Sequence, residues 1–275
     1  MSDRIGILAG HGRLPVFFAA EATRRGFEVA AIELAPGADP ELASLVHHRC
    51  QVSIGFWQEV IDTLHELQVG KLYLVGKVDK RLLYGGVRMD ARFLRILSSL
   101  REKNDDRIIL AFVTDLEREG FAIGDQRDFL TDLLAGDGPL TQCQPTPQER
   151  EDIAFGFRMA KGVAGLDIGQ TVVVKAGAVL AVEAIEGTDG CIVRGGTLGQ
   201  KDVVVVKVAK PHQDPRFDIP TFGTGTVETL AKARARVLAF EAGITFVMDR
   251  AETIALADRH GISLVGYTDE QHASV

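Results

Sequence analysis

Residues 4–34 read RIGILAGHGRLPVFFAAEATRRGFEVAAIEL, and this stretch decides the fold class. The apolar run RIGILAG is typical of a buried strand. LPVFFAAEATRRG predicts a helix with Pro15 in its first turn and Gly26 as its stop, the positions that suit these two residue types. FEVAAIEL then predicts a second strand. Strand, helix and strand at these lengths are the unit of a parallel sheet.

The same alternation continues through the first half of the chain. FWQEVIDTLHELQV predicts a helix and KLYLVGKV a third strand, followed by the amphipathic stretches DARFLRILSSLREK and DRIILAFVTDLEREG. An α/β fold with a parallel sheet and helical crossovers is therefore expected. We assign residues 1–135 to this N-terminal domain.

The second half has a different texture. Residues 136–149 are rich in Pro, Thr and Gln without periodicity and predict a linker. In 150–275, EREDIAFGFRMAKGV predicts a helix and QTVVVKAGAVLAVEA a hairpin turning near Gly177. DVVVVKVA and SLVGY are strand candidates, and TVETLAKARARVLAFEAG between them predicts one long helix. We expect a separate, mixed α/β C-terminal domain.

Composition excludes several classes of protein. The chain has 275 residues, 46% of them hydrophobic and 25% charged, which is typical of a folded protein. Its net charge of −7 argues against nucleic acid as a partner, because phosphate binding needs clustered cations. The three cysteines are too scattered for a disulfide framework or a zinc site. With no signal-peptide pattern and no spanning apolar run, a cytoplasmic protein is expected.

One segment departs from the acidic balance. Residues 77–103 hold eight basic and three acidic side chains, which leaves −12 on the rest of the chain. Such a segment could attract a phosphate-bearing ligand or an anionic membrane surface. A solvated helix face explains it equally well.

The turn GHGRLP, residues 10–15, joins the first strand to the first helix. Gly10 and Gly12 would let the backbone approach a phosphate, and the helix beginning near Leu14 offers free N–H groups. The dinucleotide fingerprint is only partly met, because Pro15 stands in place of the third glycine. Glu33 ends the second strand, where a ribose-binding acid would sit. Contact with a nucleotide or sugar nucleotide, NAD binding and a purely structural turn all remain open.

Two further positions are candidate sites. Lys77 follows the third strand, at the carboxyl edge where open parallel sheets bind ligands. AVEAIEGTDG places Glu183 inside the second arm of the hairpin and Asp189 just past it. Together with Asp214 and Asp218 they would make an oxygen-rich site suited to Mg²⁺. A solvated turn is the alternative.

The segment KVAKPHQDPRFDIPTFGTGT, residues 207–226, is the strongest candidate for function. It emerges from an apolar strand, carries charges of both signs and is stiffened by three prolines. Lys207 and Lys210 are donors, and Arg216 can hold a phosphate in bidentate fashion. Asp214 and Asp218 can bind metal or orient water. His212 is a candidate acid–base group, and Asp218 could instead only cap the following helix.

Four motifs, AGHGRLP, GLDIGQTVVV, VLAVEAIEGTD and KPHQDPRFDIPTFG, resemble the LpxI-type UDP-2,3-diacylglucosamine pyrophosphatases of lipid A biosynthesis. The resemblance spans nearly the whole chain in the right order. It implies a Rossmann-like N-terminal domain, a separate C-terminal domain and Mg²⁺-dependent hydrolysis of UDP-2,3-diacylglucosamine to UMP and 2,3-diacylglucosamine 1-phosphate. His11 and Phe222 depart from the family pattern, and His11 puts the nucleotide contacts in doubt.

The resemblance and the motifs together assign the site residues. Asp218 is expected to be the essential carboxylate, with Asp214 beside it in catalysis. The residues expected to bind substrate are Gly10, Gly12, Leu14, Lys77, Lys207, Lys210, Gln213, Arg216 and Thr221. The expected metal ligands are Asp218, Asp214, Glu183 and Asp189.

Two other functions fit the same residues, a non-catalytic sugar-nucleotide-binding protein and a nicotinamide-dependent reductase. The expected partner is a lipid-linked UDP-sugar. The sequence leaves open peripheral contact with the cytoplasmic face of the inner membrane, and also a homodimer.

Overall fold

The computed structural model describes residues 4–34, 39–77, 88–101, 105–211 and 213–268. These residues form two compact units. The first holds the chain up to Thr131 together with Pro215–Phe217, and the second holds Asp132–Asp214 and the chain from Asp218 onward. Each unit has its own sheet and its own hydrophobic core.

The first unit is built on a parallel sheet. Its described strands are β1 (Arg4–Ala9), β2 (Glu28–Glu33), β3 (His48–Gln51), β4 (Lys71–Val75) and β5 (Ala122–Ile123). They lie in the order β3-β2-β1-β4-β5, and each neighbouring pair is parallel. Its described helices are α1 (Leu14–Arg24), α2 (Trp57–Glu66), α3 (Ala91–Ser98), α4 (Asp105–Arg118) and α5 (Arg127–Leu130). This strand order is that of a Rossmann-like sheet and confirms the predicted class.

The stretch that decides the fold forms the expected strand, helix and strand. Strand β1 is buried beyond Arg4, and α1 carries Pro15 in its first turn. On the buried side of α1, the Phe18 ring packs against Tyr73 of β4 with ring centroids 4.7 Å apart. Strands β3 and β5 were not predicted, because HRCQ and AI are too short and too weakly patterned to signal a strand.

The second unit is built on a mixed sheet. Its described strands are β6 (Gly138–Pro139), β7 (Thr171–Lys175), β8 (Ala178–Val182), β9 (Val203–Lys207), β10 (Thr221–Phe222), β11 (Ala235–Glu241), β12 (Phe246–Val247) and β13 (Ser263–Tyr267). The main sheet has the order β6-β13-β11-β9-β7-β8, with β9, β11 and β13 parallel and the other pairs antiparallel. Strands β10 and β12 form a separate parallel pair. The described helices are α6 (Pro147–Gly165), α7 (Gly187–Gly199), α8 (Thr224–Lys232) and α9 (Arg250–Arg259).

The predicted long helix TVETLAKARARVLAFEAG is wrong in its second half. Helix α8 ends at Lys232, and the following residues form β11, which lies between β9 and β13. Arg234 has a φ of +56°, which no α-helix tolerates, and so separates the two elements. A short apolar run such as RVLAF suits a buried strand as well as a buried helix, so periodicity alone could not decide.

Helix α7 lies directly against the sheet because glycines face it. A Cβ atom at Gly195 would stand 2.5 Å from Cβ of Val173 on β7. At Gly196 it would stand 2.5 Å from the carbonyl oxygen of Ala233. Contacts this short exclude any larger residue, so glycine sets the spacing of α7 from β7 at Gly195 and from the residue that ends the helix Thr224–Lys232 at Gly196.

The predicted hairpin is formed by β7 and β8 and is held from outside its own sequence. The buried carboxylate of Asp152, on α6, accepts hydrogen bonds from the backbone N–H of Ala176 at 2.9 Å and of Gly177 at 2.8 Å. Such charge-assisted bonds fix the hairpin turn against the helix.

Residues 136–149 lie within the second unit, where β6 pairs with the edge strand β13. The N–H of Leu140 donates to the carbonyl of Leu264 at 2.8 Å. Thr146 and Glu149 then form a capping box that begins α6. Across the described residues, no helix combines the length and apolarity that crossing a membrane requires.

Candidate active site

The segment that follows β9 is anchored where it leaves the sheet. Nζ of Lys161, on α6, lies 2.7 Å from Oε1 of Glu241, on β11. Oε2 of Glu241 accepts from the N–H of Ala209 at 2.7 Å, and Lys161 Nζ donates to the Ala209 carbonyl at 3.1 Å. Hydrogen bonds to charged groups are worth about 1.5–3 kcal/mol each. The loop therefore starts from a fixed point.

Lys207, the last residue of β9, is 7% exposed and is tied to the beginning of α7. Its Nζ donates to Oγ1 of Thr188 at 2.9 Å, and that hydroxyl donates to Oε1 of Glu183 at 3.0 Å. Oε2 of Glu183 accepts from the N–H of Gln170 at 3.2 Å. Two of the predicted residues, Lys207 and Glu183, are thus connected through a threonine.

Lys210 and Asp218 lie side by side three and eleven residues further along the loop. Nζ of Lys210 is 2.6 Å from Oδ1 of Asp167 and 3.6 Å from Oδ2 of Asp218. Nε2 of Gln170 donates to Asp218 Oδ2 at 3.4 Å, a long hydrogen bond. Gln170 therefore contacts both carboxylates, Glu183 through its backbone and Asp218 through its side chain.

Gln213 presents a buried donor beside these groups. Its Oε1 accepts from the N–H of Lys210 at 2.6 Å, which fixes the orientation of the amide. Within the described ranges, its buried Nε2 has no hydrogen-bond partner. A buried polar group without a partner costs about 1–3 kcal/mol, a cost that an oxygen of a bound ligand would relieve.

The predicted metal ligands do not converge on one point. Asp218 donates its N–H to the Asp214 carbonyl at 3.1 Å, whereas Asp189 is exposed in the first turn of α7. In the part of the chain that the structure describes, no group of three or more His, Cys, Asp or Glu side chains could hold a metal ion. Mg²⁺ needs only one or two carboxylates when phosphate and water oxygens complete its shell. The Asp218 carboxylate, 30% exposed, fits such a site better than Glu183, both of whose oxygens accept hydrogen bonds.

Two other loop residues have local partners. Oγ1 of Thr221, on β10, donates to the carbonyl of Ile219 at 3.0 Å. Arg216 belongs to the first unit, where its Nη1 lies 2.9 Å from Oε1 of Glu117. The candidate His212 lies outside the described residues.

The remaining predicted residues cluster in the first unit, at the carboxyl ends of β1 and β4. The N–H of His11 donates to the carbonyl of Lys77 at 2.7 Å, and the N–H of Lys77 donates to the carbonyl of His11 at 3.1 Å. A Cβ at Gly10 would stand 2.5 Å from the Lys77 carbonyl, so only glycine allows this approach. Gly12 has a φ of +91°, and its α-carbon faces open space. Helix α1 begins just beyond it, at Leu14, and its N-cap residue Arg13 makes no side-chain capping hydrogen bond.

Glu33 does not sit as a ribose-binding acid would. It is buried at the end of β2, and Nε of Arg49, on β3, donates to its Oε1 at 2.5 Å. The carboxylate is therefore held by an arginine of the neighbouring strand.

The basic segment 77–103 is only partly described, since Lys80, Arg81 and Lys103 lie outside the described residues. Arg92 has a structural role: its guanidinium bridges Asp115 at 2.8 Å and Glu119 at 2.5 Å beside a cavity of about 420 Å³. Arg95 lines the same cavity and is exposed.

Several residues of the site were missed by sequence reasoning. Asp167 and Gln170 lie inside the motif GLDIGQTVVV, and their polar side chains just before an apolar strand were the available signal. Lys161 and Glu241 carry no such signal, because they are 80 residues apart and meet only through the sheet.

Comparisons with known proteins cover nearly the whole chain. A family model described as the LpxI N-terminal domain matches residues 4–133, and one described as the LpxI C-terminal domain matches residues 136–265. A relative from Caulobacter vibrioides, described as UDP-2,3-diacylglucosamine pyrophosphatase LpxI, is 32% identical over 279 residues, which is 98% of this chain and 99% of the relative.

Solved structures offer only distant similarity. The ADP complex of an N5-carboxyaminoimidazole ribonucleotide synthetase is 13% identical with a TM-score of 0.29, over 70% of this chain and 42% of that one. The synthetase from Thermotoga maritima is 15% identical with a TM-score of 0.26, over 66% and 41%. Similarity at this level carries no inference about ligands.

Proposed function

This chain is a member of the LpxI family, and from that premise we propose that it hydrolyses the diphosphate of UDP-2,3-diacylglucosamine. Water adds to one phosphorus and the bridging P–O bond breaks. The products are UMP and 2,3-diacylglucosamine 1-phosphate, and the reaction serves lipid A biosynthesis.

The observation that carries the proposal is the group of cations and one accessible carboxylate on a single anchored loop. Lys207 and Lys210 are held within hydrogen-bonding or ion-pair distance of partners that fix their ammonium groups, at 2.9 Å from Thr188 and 2.6 Å from Asp167. Cleaving a phosphoanhydride requires charge neutralisation on phosphate oxygens and an oriented water. Fixed cations and a carboxylate meet both needs.

Each residue of the loop has a role in the proposed hydrolysis that follows from its side-chain chemistry. Lys210 Nζ and Gln213 Nε2 donate to phosphate oxygens, and Lys207 adds positive charge at the end of β9. Asp218 orients the attacking water or holds Mg²⁺, with Asp214 in support. When bound, Mg²⁺ neutralises charge on the diphosphate. Thr221, Arg216 and the exposed Asp189 make secondary contacts with the substrate.

We also infer that the turn before α1 contacts the nucleotide. Gly10 and Gly12 keep side chains away from the helix end, Leu14 begins the helix, and Lys77 is exposed beside it. Free N–H groups at a helix N-terminus favour an anionic ligand such as a phosphate.

The direct test is product formation. The purified chain, UDP-2,3-diacylglucosamine and Mg²⁺ should yield UMP, measured by chromatography, and 2,3-diacylglucosamine 1-phosphate, measured by mass spectrometry. Exhaustive EDTA treatment should abolish the release and added Mg²⁺ should restore it. A chain that binds the substrate without releasing UMP would be a sugar-nucleotide-binding protein instead. Full activity in EDTA would remove the metal from the mechanism.

A substrate with two acyl chains resides in a membrane, and we infer peripheral contact with the cytoplasmic face of the inner membrane. Three aliphatic side chains near the site are largely exposed: Leu166 at 72%, Ile168 at 49% and Ile185 at 84%. Their two turns touch, because a Cβ at Gly169 would stand 2.2 Å from the Glu183 carbonyl. Exposed apolar side chains that lie together on neighbouring turns favour contact with a membrane or another protein.

Vesicles of phosphatidylethanolamine and phosphatidylglycerol test this contact by co-sedimentation. Ile185→Ser with Leu166→Ser should lower the bound fraction several-fold. Leu198→Ser is the matched control, since Leu198 is 61% exposed on α7. Equal binding by all three proteins would contradict the inference. Light scattering on the purified chain without vesicles measures whether it forms the homodimer that the sequence leaves open.

A further inference from the structure

The turn between α6 and β7 carries a carboxylate with no assigned role. Asp167 lies on this turn, and its Oδ1 is 2.6 Å from Nζ of Lys210. We propose that Asp167 is a positioning residue: it holds the Lys210 ammonium at close range and so keeps that ammonium from closing on the Asp218 carboxylate. The inference rests on the proposed function of the same loop.

The backbone fixes the position of this carboxylate. Asp167 has a φ of +55°, in the left-handed region that aspartate and asparagine tolerate better than most residues. Its N–H donates to the carbonyl of Ala164 at 3.0 Å, which ties the turn to the last turn of α6. The side chain therefore projects from a constrained point rather than from a flexible loop.

Lys210 is constrained from both ends as well. Its N–H donates to Gln213 Oε1 at 2.6 Å, and its side chain is only 12% exposed. A largely buried ammonium requires a close acceptor, because desolvation otherwise disfavours its charge. Asp167 meets that requirement at hydrogen-bond distance.

The two distances to Lys210 separate the roles of the two carboxylates. Charge-assisted hydrogen bonds between an ammonium and a carboxylate span about 2.7–2.9 Å. The 2.6 Å contact with Asp167 is a close ion pair, whereas the contact with Asp218 is 1 Å longer, at 3.6 Å. If Asp167 lost its charge, the ammonium would be drawn to Asp218 and would occupy the carboxylate that the reaction needs.

Asp167→Asn tests the proposal cleanly, because asparagine keeps the shape and tolerates the same backbone. In its crystal structure the Lys210–Asp218 distance should fall from 3.6 Å to about 2.8 Å. With UDP-2,3-diacylglucosamine as substrate, kcat should drop roughly tenfold or more while KM changes less than about twofold, the scale of a misplaced charged group. If Asp167 only contributed negative charge, its removal would tighten binding of the anionic substrate, lowering KM with kcat unchanged. That result, or an unmoved Lys210, would overturn the proposal.

A double-mutant cycle separates positioning from a role in folding. In the Lys210→Met background, Asp167→Asn should cause no further loss of kcat, because Asp167 acts through Lys210. Additive losses would show an independent structural role. Asp137→Asn, at an exposed aspartate of the same unit, is the control and should match the unmodified chain. If the unmodified chain releases no UMP, the proposed function fails, while the crystallographic distance still decides the positioning.

Discussion

Asp218→Ala should nearly abolish turnover while leaving the fold intact. The carboxylate is 30% exposed, lies 3.6 Å from Lys210 Nζ and accepts a long hydrogen bond of 3.4 Å from Gln170 Nε2. An ion pair of this exposure is worth about 0–1 kcal/mol. Lys210 keeps a close anion after the substitution, since Asp167 Oδ1 remains 2.6 Å from its Nζ. We therefore expect Tm to fall by no more than about 4 °C.

The effect on catalysis should be much larger. Losing a positioned carboxylate typically costs about 10²-fold or more in kcat, which corresponds to roughly 2.7 kcal/mol at the transition state. UMP release and thermal unfolding are measured on the same preparations of Asp218→Ala, Asp218→Asn and the control Asp137→Ala. Asp214→Ala should be milder if Asp214 only supports its neighbour.

The alternative, in which Asp218 merely caps the following helix, predicts the opposite result. Helix α8 begins at Thr224, six residues beyond Asp218, and its N-cap residue is Gly223, which argues against a cap by Asp218. A less stable but fully active Asp218→Ala enzyme would refute the catalytic role.

Further outcomes are expected at four residues. Arg95→Gln should raise KM about twofold at low salt and less at high salt, which kinetics at two ionic strengths will measure. Arg92→Gln should lower the free energy of unfolding by about 1–2 kcal/mol, which urea titration will measure. Glu241→Gln should cost about 2 kcal/mol of unfolding free energy, because Lys161 and the Ala209 N–H lose a charged partner. Burial raises the pKa of Cys191 to about 12 from 9.0, so its thiol should resist iodoacetamide in the folded chain. The thiol ionises at lower pH in the unfolded chain than in the folded chain, so the contribution of Cys191 to the free energy of unfolding is lost as pH rises from about 9 to 12. In Cys191→Ala the free energy of unfolding should no longer fall for this reason over that pH range.

The fold was predictable wherever local pattern and tertiary structure agree. The run from β1 to β2 has a buried strand, a helix with proline in its first turn and a second buried strand, and each signal is local. Strand β11 was missed because a short apolar run does not distinguish a central strand from a buried helix. Its position between β9 and β13 is decided by partners far away in sequence.

The site was predictable to the extent that one segment of chain carries it. Lys207, Lys210 and Asp218 fall within twelve consecutive residues, and the structure connects them through shared partners. Those partners, Asp167 and Gln170, come from another turn, and their side chains meet the loop only after β7 pairs with β9. The pairing of strands in the sheet brings the turn and the loop together, and neither segment shows this in its own sequence pattern.

The glycines of α7 have a consequence for the order of folding. Interior glycines cost a helix about 1 kcal/mol each relative to alanine, and α7 holds Gly190, Gly195 and Gly196 in its interior. Such a helix is not stable alone in water and persists only once the surface of β7 exists to receive it. Helix α7 should therefore be among the last elements to gain protection from amide exchange during refolding. Thr188, at its first turn, would join Lys207 only at that late stage, so the cation at the end of β9 would remain without this partner until the helix docks.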